Sequence, residues 1–275
     1  MHKIGVALIA FSRPFYFKRV VESLEKQTQL HNTHFHIFSD GSRNKFSRMG
    51  QAPQSKIDEV RKIFDDSNLP YKHNHHRENN IGNAINQFEA VEYMSERYDY
   101  FLVVEDDIVL SKHYLQLARM LMPMINGDVF SINLNSRRLC EKEDIEENLD
   151  KLTHENTHWF AEIWSSEQWR RVRPEFLRYY EFVKDCDYRR RPHQRIKKFF
   201  HDNGHRITQT SQDAGKDFAL KMSGMKRLTT VVNRGFYIGR KGMHFTPDKY
   251  RDYGFDDMKP YEFESDSQIK SFMVQ

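Results

Sequence analysis

Tyr100-Phe-Leu-Val-Val-Glu-Asp-Asp-Ile-Val-Leu110 is an apolar run of strand length that stops on three consecutive carboxylates, Glu105, Asp106 and Asp107. The Phe-Leu-Val-Val portion reads as a buried strand. Carboxylates packed side by side repel one another unless a cation or water takes up their charge. A hard divalent ion with oxygen ligands is the natural partner of such a cluster, and Mg²⁺ or Mn²⁺ bound this way usually also holds a substrate's phosphates. A polar loop following a strand explains the triplet equally well, so its meaning turns on the surrounding chain.

Upstream, Ile4 to Phe11 is a short apolar run followed by Ser12-Arg13-Pro14, which predicts a strand, an N-cap at Ser12 and a helix to about Gln27. His34 to Asp40 predicts a second strand ending in Asp40-Gly41, and residues around Ile57 to Phe64 an amphipathic helix. Tyr71 to His76 reads as a third strand, with His73, His75 and His76 at a solvated strand end rather than on a metal. Glu78-Asn-Asn-Ile-Gly82 begins a helix with apolar residues at Ile81, Ile85, Phe88, Val91 and Met94. Ligands of open α/β sheets collect beyond the carboxyl ends of the strands. Arg13, Asp40 and Glu105 to Asp107 are therefore expected to face one crevice.

Downstream, Tyr114 to Met124 predicts a helix stopped near Pro123, and Asp128 to Asn133 another strand. Residues 139–156 are acidic and polar and read as a loop. Trp159, Trp164 and Trp169 read as packing residues, with acceptor stacking by one of them as the other reading. An Arg-rich region, Arg170 to Arg206, contains Tyr188-Arg-Arg-Arg-Pro-His-Gln-Arg-Ile-Lys-Lys198, which is either a helix's solvated face or a surface for a polyanion. The last residues, 251–275, read as a wrapping tail.

The 275-residue length suits one large α/β domain, and a net charge of +4 allows an anionic partner without demanding one. Two cysteines, Cys140 and Cys186, without a CxxC pattern argue against a disulfide framework or zinc site and favour the cytoplasm. The N-terminal apolar run is too short for a membrane span and lacks a signal-peptide cleavage site, so no membrane anchor is expected.

The order Ala10-Phe11-Ser-Arg13, Phe38-Ser-Asp40, Glu78 to Gly82 and Val104 to Asp107 resembles the GT-A glycosyltransferases, especially the N-acetylglucosaminyltransferase I family. Phe160-Ala-Glu-Ile-Trp164 is similar to that family's Leu-Ala-Glu-Leu-Trp segment. Arg234 and Ile238-Gly-Arg240-Lys241-Gly242, followed by His244, are similar to its Phe-Gly-Arg-Lys-Gly segment with a nearby His. The resemblance spans roughly residues 4–250 and implies a Rossmann-like mixed sheet flanked by helices, with a smaller acceptor-side subdomain. It implies one domain, with a nucleotide-sugar half (1–135), an acceptor half (136–250) and a tail.

By the same resemblance, Asp107 ligates Mn²⁺ (or Mg²⁺) bridging the diphosphate of a UDP-sugar, with His244 completing the metal or phosphate shell. Asp106 contacts the ribose or donor sugar, Glu105 orients the triplet, Asp40 reads the uracil, and Arg13 lies near base and phosphate. Ala10, Phe11, Gly82, Arg240 and Lys241 belong to the same donor site. The family's catalytic base is an Asp in a Trp-Asp-Asp-Trp loop. Here Gln212-Asp213-Ala-Gly-Lys-Asp217 stands at that distance without the flanking tryptophans, which makes Asp213 the candidate base and Asp217 its alternative. The resulting expectation is inverting transfer to an acceptor hydroxyl, on a saccharide or on hydroxymethylated or glucosylated DNA. The rivals are a nucleic-acid-binding protein with an inactive transferase fold and a nucleotidyltransferase.

Overall fold

The computed structural model describes residues 3–136, 142–154, 159–242, 246–256 and 264–274. Its elements in chain order are β1 (Ile4–Ala10), α1 (Pro14–Glu25), β2 (Thr33–Ser39), α2 (Gln54–Asp66), β3 (Lys72–His76), α3 (Asn83–Ser95), β4 (Tyr100–Glu105), β5 (Ile108–Leu110) and α4 (Tyr114–Leu121). Then come β6 (Val129–Asn133), α5 (Lys142–Asn148), β7 (Lys151–Thr153), β8 (Glu162–Ser165), α6 (Ser166–Tyr180), α7 (His193–Asp202) and α8 (Gln212–Ser223). The chain closes with β9 (Lys226–Thr230), β10 (Gly235–Tyr237), α9 (Pro247–Asp252) and β11 (Met273–Val274).

Nine strands form one mixed sheet in the order β11-β7-β9-β6-β8-β4-β1-β2-β3, while β5 and β10 pair separately. β4, β1, β2 and β3 run parallel, β8 lies antiparallel between β4 and β6, and β9 is parallel to β6. Along β1 the side chains alternate between two apolar layers: Ile4, Val6 and Leu8 pack with residues of α1, α2 and α4, while Ala7 and Ile9 pack with residues of α3, α6 and α8. β4 does the same, with Leu102 and Val104 on one face and Phe101 and Val103 on the other. A strand covered by helices on both faces has no solvent side to make polar, which is why its sequence is continuously apolar.

Three sequence expectations need adjustment. Helix α1 begins at Pro14 with Arg13, not Ser12, as its N-cap residue, so its first-turn amides receive no side-chain cap. Residues 139–156 include α5 and β7, and residues in the tail supply β11, which pairs parallel with β7 and extends the sheet. Short edge elements like these bury few side chains and leave little periodicity to read. His73 and His75 lie within β3 rather than at a solvated end: His36 Nδ1 is 3.0 Å from His75 Nε2, and His34 Nδ1 is 3.1 Å from His73 Nε2, forming a cross-strand ladder. Trp159, Trp164 and Trp169 are all buried in one aromatic cluster, as packing residues. Among the described residues, no helix is long and apolar enough to cross a membrane.

Candidate functional site

Parallel register brings the carboxyl ends of three strands together, with Ala10 opposite Ser39 and Ile9 opposite Glu105. The loops that leave these ends carry Arg13, Asp40 and the Glu105 to Asp107 triplet, so the expected crevice follows from the register alone. Arg13 enters it from the start of α1. Its Nε is 3.3 Å from Asp106 Oδ2, its Nη2 also bonds Asp106, and its Nη1 is 2.5 Å from Asp107 Oδ2. Asp106 and Asp107 are buried. Burial opposes the guanidinium's charge, but the two carboxylates outweigh it and hold Arg13 above its ordinary pKa. The sequence pointed to Arg13 near base and phosphate; its direct pairing with the acidic triplet was not legible.

Asp107 is the most constrained of the three acids. Its backbone oxygen accepts from Ile238 N–H at 2.9 Å, tying the 238–242 segment over the crevice. Gly239 fits there because it has no side chain: a Cβ would stand 2.3 Å from Asp107 Oδ2 and 2.6 Å from Tyr237 Oη. Asp107 Oδ1 has no hydrogen-bond partner although it is buried. Desolvation, only partly offset by Arg13, raises the Asp107 pKa to about 6. Desolvation likewise raises Glu105 to about 8, with the charges of Asp107 and Asp213 adding to the effect and Lys216 opposing it. Gln87 Nε2 approaches Glu105 Oε1 at 3.4 Å.

Asp40 performs a structural task at the neighbouring strand end. Its Oδ1 accepts from Gly41 N–H at 3.1 Å and Ile81 N–H at 2.9 Å, and its Oδ2 from Gly82 N–H at 3.0 Å. Burial pushes its pKa up to about 6 against these three bonds. Gly82, at φ 85°, occupies the left-handed half of backbone space that favours glycine and lets the chain turn into α3. Ala10 is buried and Phe11 half-buried at the exit of β1.

On the acceptor side, α8 begins with Ser211 accepting from Ala214 N–H, which places Asp213 in its first turn. Asp213 is half-exposed, with Lys216 Nζ 3.0 Å from its Oδ1. Lys216 is itself buried and lies over the Trp159 ring, 4.8 Å from its centre. Lys216, Gln87, Trp159, Glu162 and Trp164 line a small cavity; sequence reading passed over Lys216 because an isolated lysine in a helix carries no motif. Asp217 is committed elsewhere: its Oδ1 accepts from Trp159 Nε1 at 2.9 Å, with Arg227 at 3.9 Å. Arg240 pairs with Asp256 and is largely exposed, while Lys241 N–H donates to Tyr16 Oη at 3.1 Å. Arg234 is fully buried against Asp266 and the oxygens of Val232 and Leu149, fastening the C-terminal segment. His244 lies outside the described residues, as does Cys140.

Among the described residues, no three His, Cys, Asp or Glu side chains converge as an all-protein cation cage. The donor set instead suits a hard ion held by one carboxylate and completed by phosphate and water oxygens, because Asp107 Oδ1 is buried with nothing bonded to it.

No protein-family model matches the chain, and no curated protein sequence matches it. Among solved structures it is similar to S. aureus TarS 1–349, at 12% identity and TM-score 0.46, covering 91% of this chain and 63% of that one. It is also similar to the mannosyltransferase PcManGT from Pyrobaculum calidifontis in complex with GDP-Man and Mn²⁺, at 8% identity and TM-score 0.44, covering 81% and 73%. A third is the WbbM bifunctional glycosyltransferase apo structure, at 8% identity and TM-score 0.39, covering 64% and 34%. The chain thus spans less than two thirds of the first structure's length. With TM-scores below 0.5, these likenesses carry no weight in assigning the chemistry, which rests on the geometry above.

Proposed function

We propose that the chain is a metal-dependent, inverting GT-A glycosyltransferase that moves a sugar from a UDP-sugar to an acceptor hydroxyl. The observation that carries this reading is the pairing of Asp107, whose buried Oδ1 lacks a partner, with a roof that only glycine fits at position 239. Asp107 would hold Mn²⁺ or Mg²⁺ through that oxygen. The ion supplies Lewis-acid neutralisation of the departing diphosphate. Arg13, already held charged between Asp106 and Asp107, adds positive potential at the same place. Asp40 uses three of its roughly four lone-pair directions on backbone amides, which fixes the 78–82 loop and leaves one acceptor position for a base N–H.

Asp213 is the proposed base. Its half-exposed carboxylate stands at the start of α8, close enough for its charge to act on Glu105, and Lys216 fixes its orientation. The acceptor oxygen bonds to the anomeric carbon, its proton passes to Asp213, and the bond from that carbon to the diphosphate oxygen breaks with its electron pair. Attack from the face opposite the leaving group inverts the centre. Asp217 serves less well because Trp159 and Arg227 already engage it.

Calorimetric titration with UDP and Mn²⁺, beside a transfer assay, tests the assignment. Asp107→Ala should lose Mn²⁺-dependent nucleotide binding. Asp213→Asn should keep that binding and lose transfer by roughly 10²- to 10⁴-fold. Full turnover by either variant would remove that residue from its role.

A further inference from the structure

We propose that the exposed basic surface shared by the 41–50 loop and the 187–198 segment binds the phosphodiester backbone of a nucleic acid. The two segments are about 140 residues apart in sequence yet touch: Ser47 Oγ donates to Asp187 Oδ2 at 2.6 Å, and Arg190 Nη2 lies 3.0 Å from Met49 Sδ. Arg43, Lys45 and Arg48 are exposed on one segment, and Arg189, Arg190 and Arg195 on the other. No acidic residue occurs from 41 to 57 or from 188 to 201. Among the described residues, none of these six cations pairs with a carboxylate, unlike Lys198, which pairs with Asp202. The chain's net charge is only +4, so this surface concentrates an excess that the rest of the molecule lacks.

An ordinary solvated helix face intersperses both signs, whereas a surface of unpaired cations without an acid suits a repeating anion. Five of the six are arginine or sit beside one, and the guanidinium fork matches phosphate oxygens bidentately. Met49 is 50% exposed within this group, an apolar contact of the kind a base takes and a carboxylated saccharide does not use.

Position links the surface to the site. Tyr188 packs where a side chain on Gly82 would stand, 2.9 Å from its Cβ, and its Oη accepts from Gln212 N–H at 2.8 Å. The basic segment is therefore anchored between the start of α3 and the residue preceding Asp213. Nucleic-acid binding stands without the transferase reading; the step from binding to presenting an acceptor hydroxyl at Asp213 rests on it.

The test is fluorescence anisotropy of the full chain with a labelled 20-base-pair DNA duplex and its single strand across a salt series. Binding should weaken with salt, and the Arg189→Glu/Arg190→Glu variant should lower the log–log slope by about 2 and weaken binding at least about tenfold. Arg195→Glu/Lys197→Glu is the second variant, while Lys18→Glu/Lys62→Glu, on α1 and α2, should change little. Failure of the wild-type chain to bind either probe at low salt overturns the proposal, as does equal affinity for polyaspartate of matched charge. UDP release from a UDP-sugar, measured separately, reports on the transferase reading and distinguishes the two failures.

Discussion

Replacing Arg13 with methionine removes the cation that holds Asp106 and Asp107 together and leaves its aliphatic volume largely in place. Three contacts disappear: Nε to Asp106 at 3.3 Å, Nη2 to Asp106, and Nη1 to Asp107 at 2.5 Å. Removing one partner of a buried ion pair typically costs about 3–5 kcal/mol, because the remaining charge is stranded. Asp106 and Asp107 side chains are only 6% and 2% exposed, but Arg13 is 30% exposed, so solvent already shares its charge. The expected loss is therefore at the low end, about 3 kcal/mol. Urea unfolding at pH 7.5 without divalent ions reads it directly, as a shift in midpoint at unchanged slope. Arg13→Lys, a point charge without the fork, should recover only part of it. Mn²⁺ at about 100 times its dissociation constant should return roughly 2.7 kcal/mol to the methionine variant. Its gain should exceed that of the wild type, where Arg13 already engages Asp107. A loss below about 1 kcal/mol, the range of an exposed pair, would refute Arg13 as the internal counter-ion.

Two further outcomes follow from buried groups outside the crevice. Glu162 and Arg227 form an ion pair at 2.5 Å with both side chains 2% exposed, and Ser131 donates to the second Glu162 oxygen at 2.9 Å. Glu162→Leu or Arg227→Met alone should each cost about 3 kcal/mol or more, while the double variant should cost less than the two single losses combined; strict additivity in urea unfolding would contradict the pairing. Desolvation and the neighbouring His73 and His75 depress the His36 pKa to about 3, and desolvation and His73 depress His75 to about 4. Below an unfolded-state value of about 6.5 the unfolded chain binds protons that the folded chain refuses, so stability should fall by up to about 1.4 kcal/mol per pH unit for His36 as pH drops. The pH profile of His36→Gln should be flatter between pH 6.5 and 4, and parallel profiles would exclude the ladder as the cause.

The strands that build the crevice were legible because each apolar run ends on a charged or turn-forming residue: Ala10 before Arg13, Ser39 before Asp40, Val104 before Glu105. Burial on both faces writes itself into sequence as a continuous apolar run. What joins those ends was not legible. Ile238 bonding Asp107, Gly239 against its carboxylate and β10 pairing with β5 all span more than a hundred residues, and no local period encodes such contacts. The histidine ladder was misread for the same reason, since its partners in β2 lie 39 residues from β3. Asp40 shows the opposite limit. Its position was foreseen, but its hydrogen bonds to the 81–82 backbone appear only once β2 and α3 are placed side by side.

The measurement that bears most directly on the central claim is product identity: a panel of UDP-sugars incubated with the wild-type chain and with Asp107→Ala, each in Mn²⁺ and in EDTA, with nucleotide products resolved by mass. The account predicts Mn²⁺-dependent release of UDP by the wild-type chain, abolished by EDTA and by Asp107→Ala. Release undiminished in EDTA, or formation of pyrophosphate in place of UDP when nucleoside triphosphate and sugar phosphate are supplied, would contradict it.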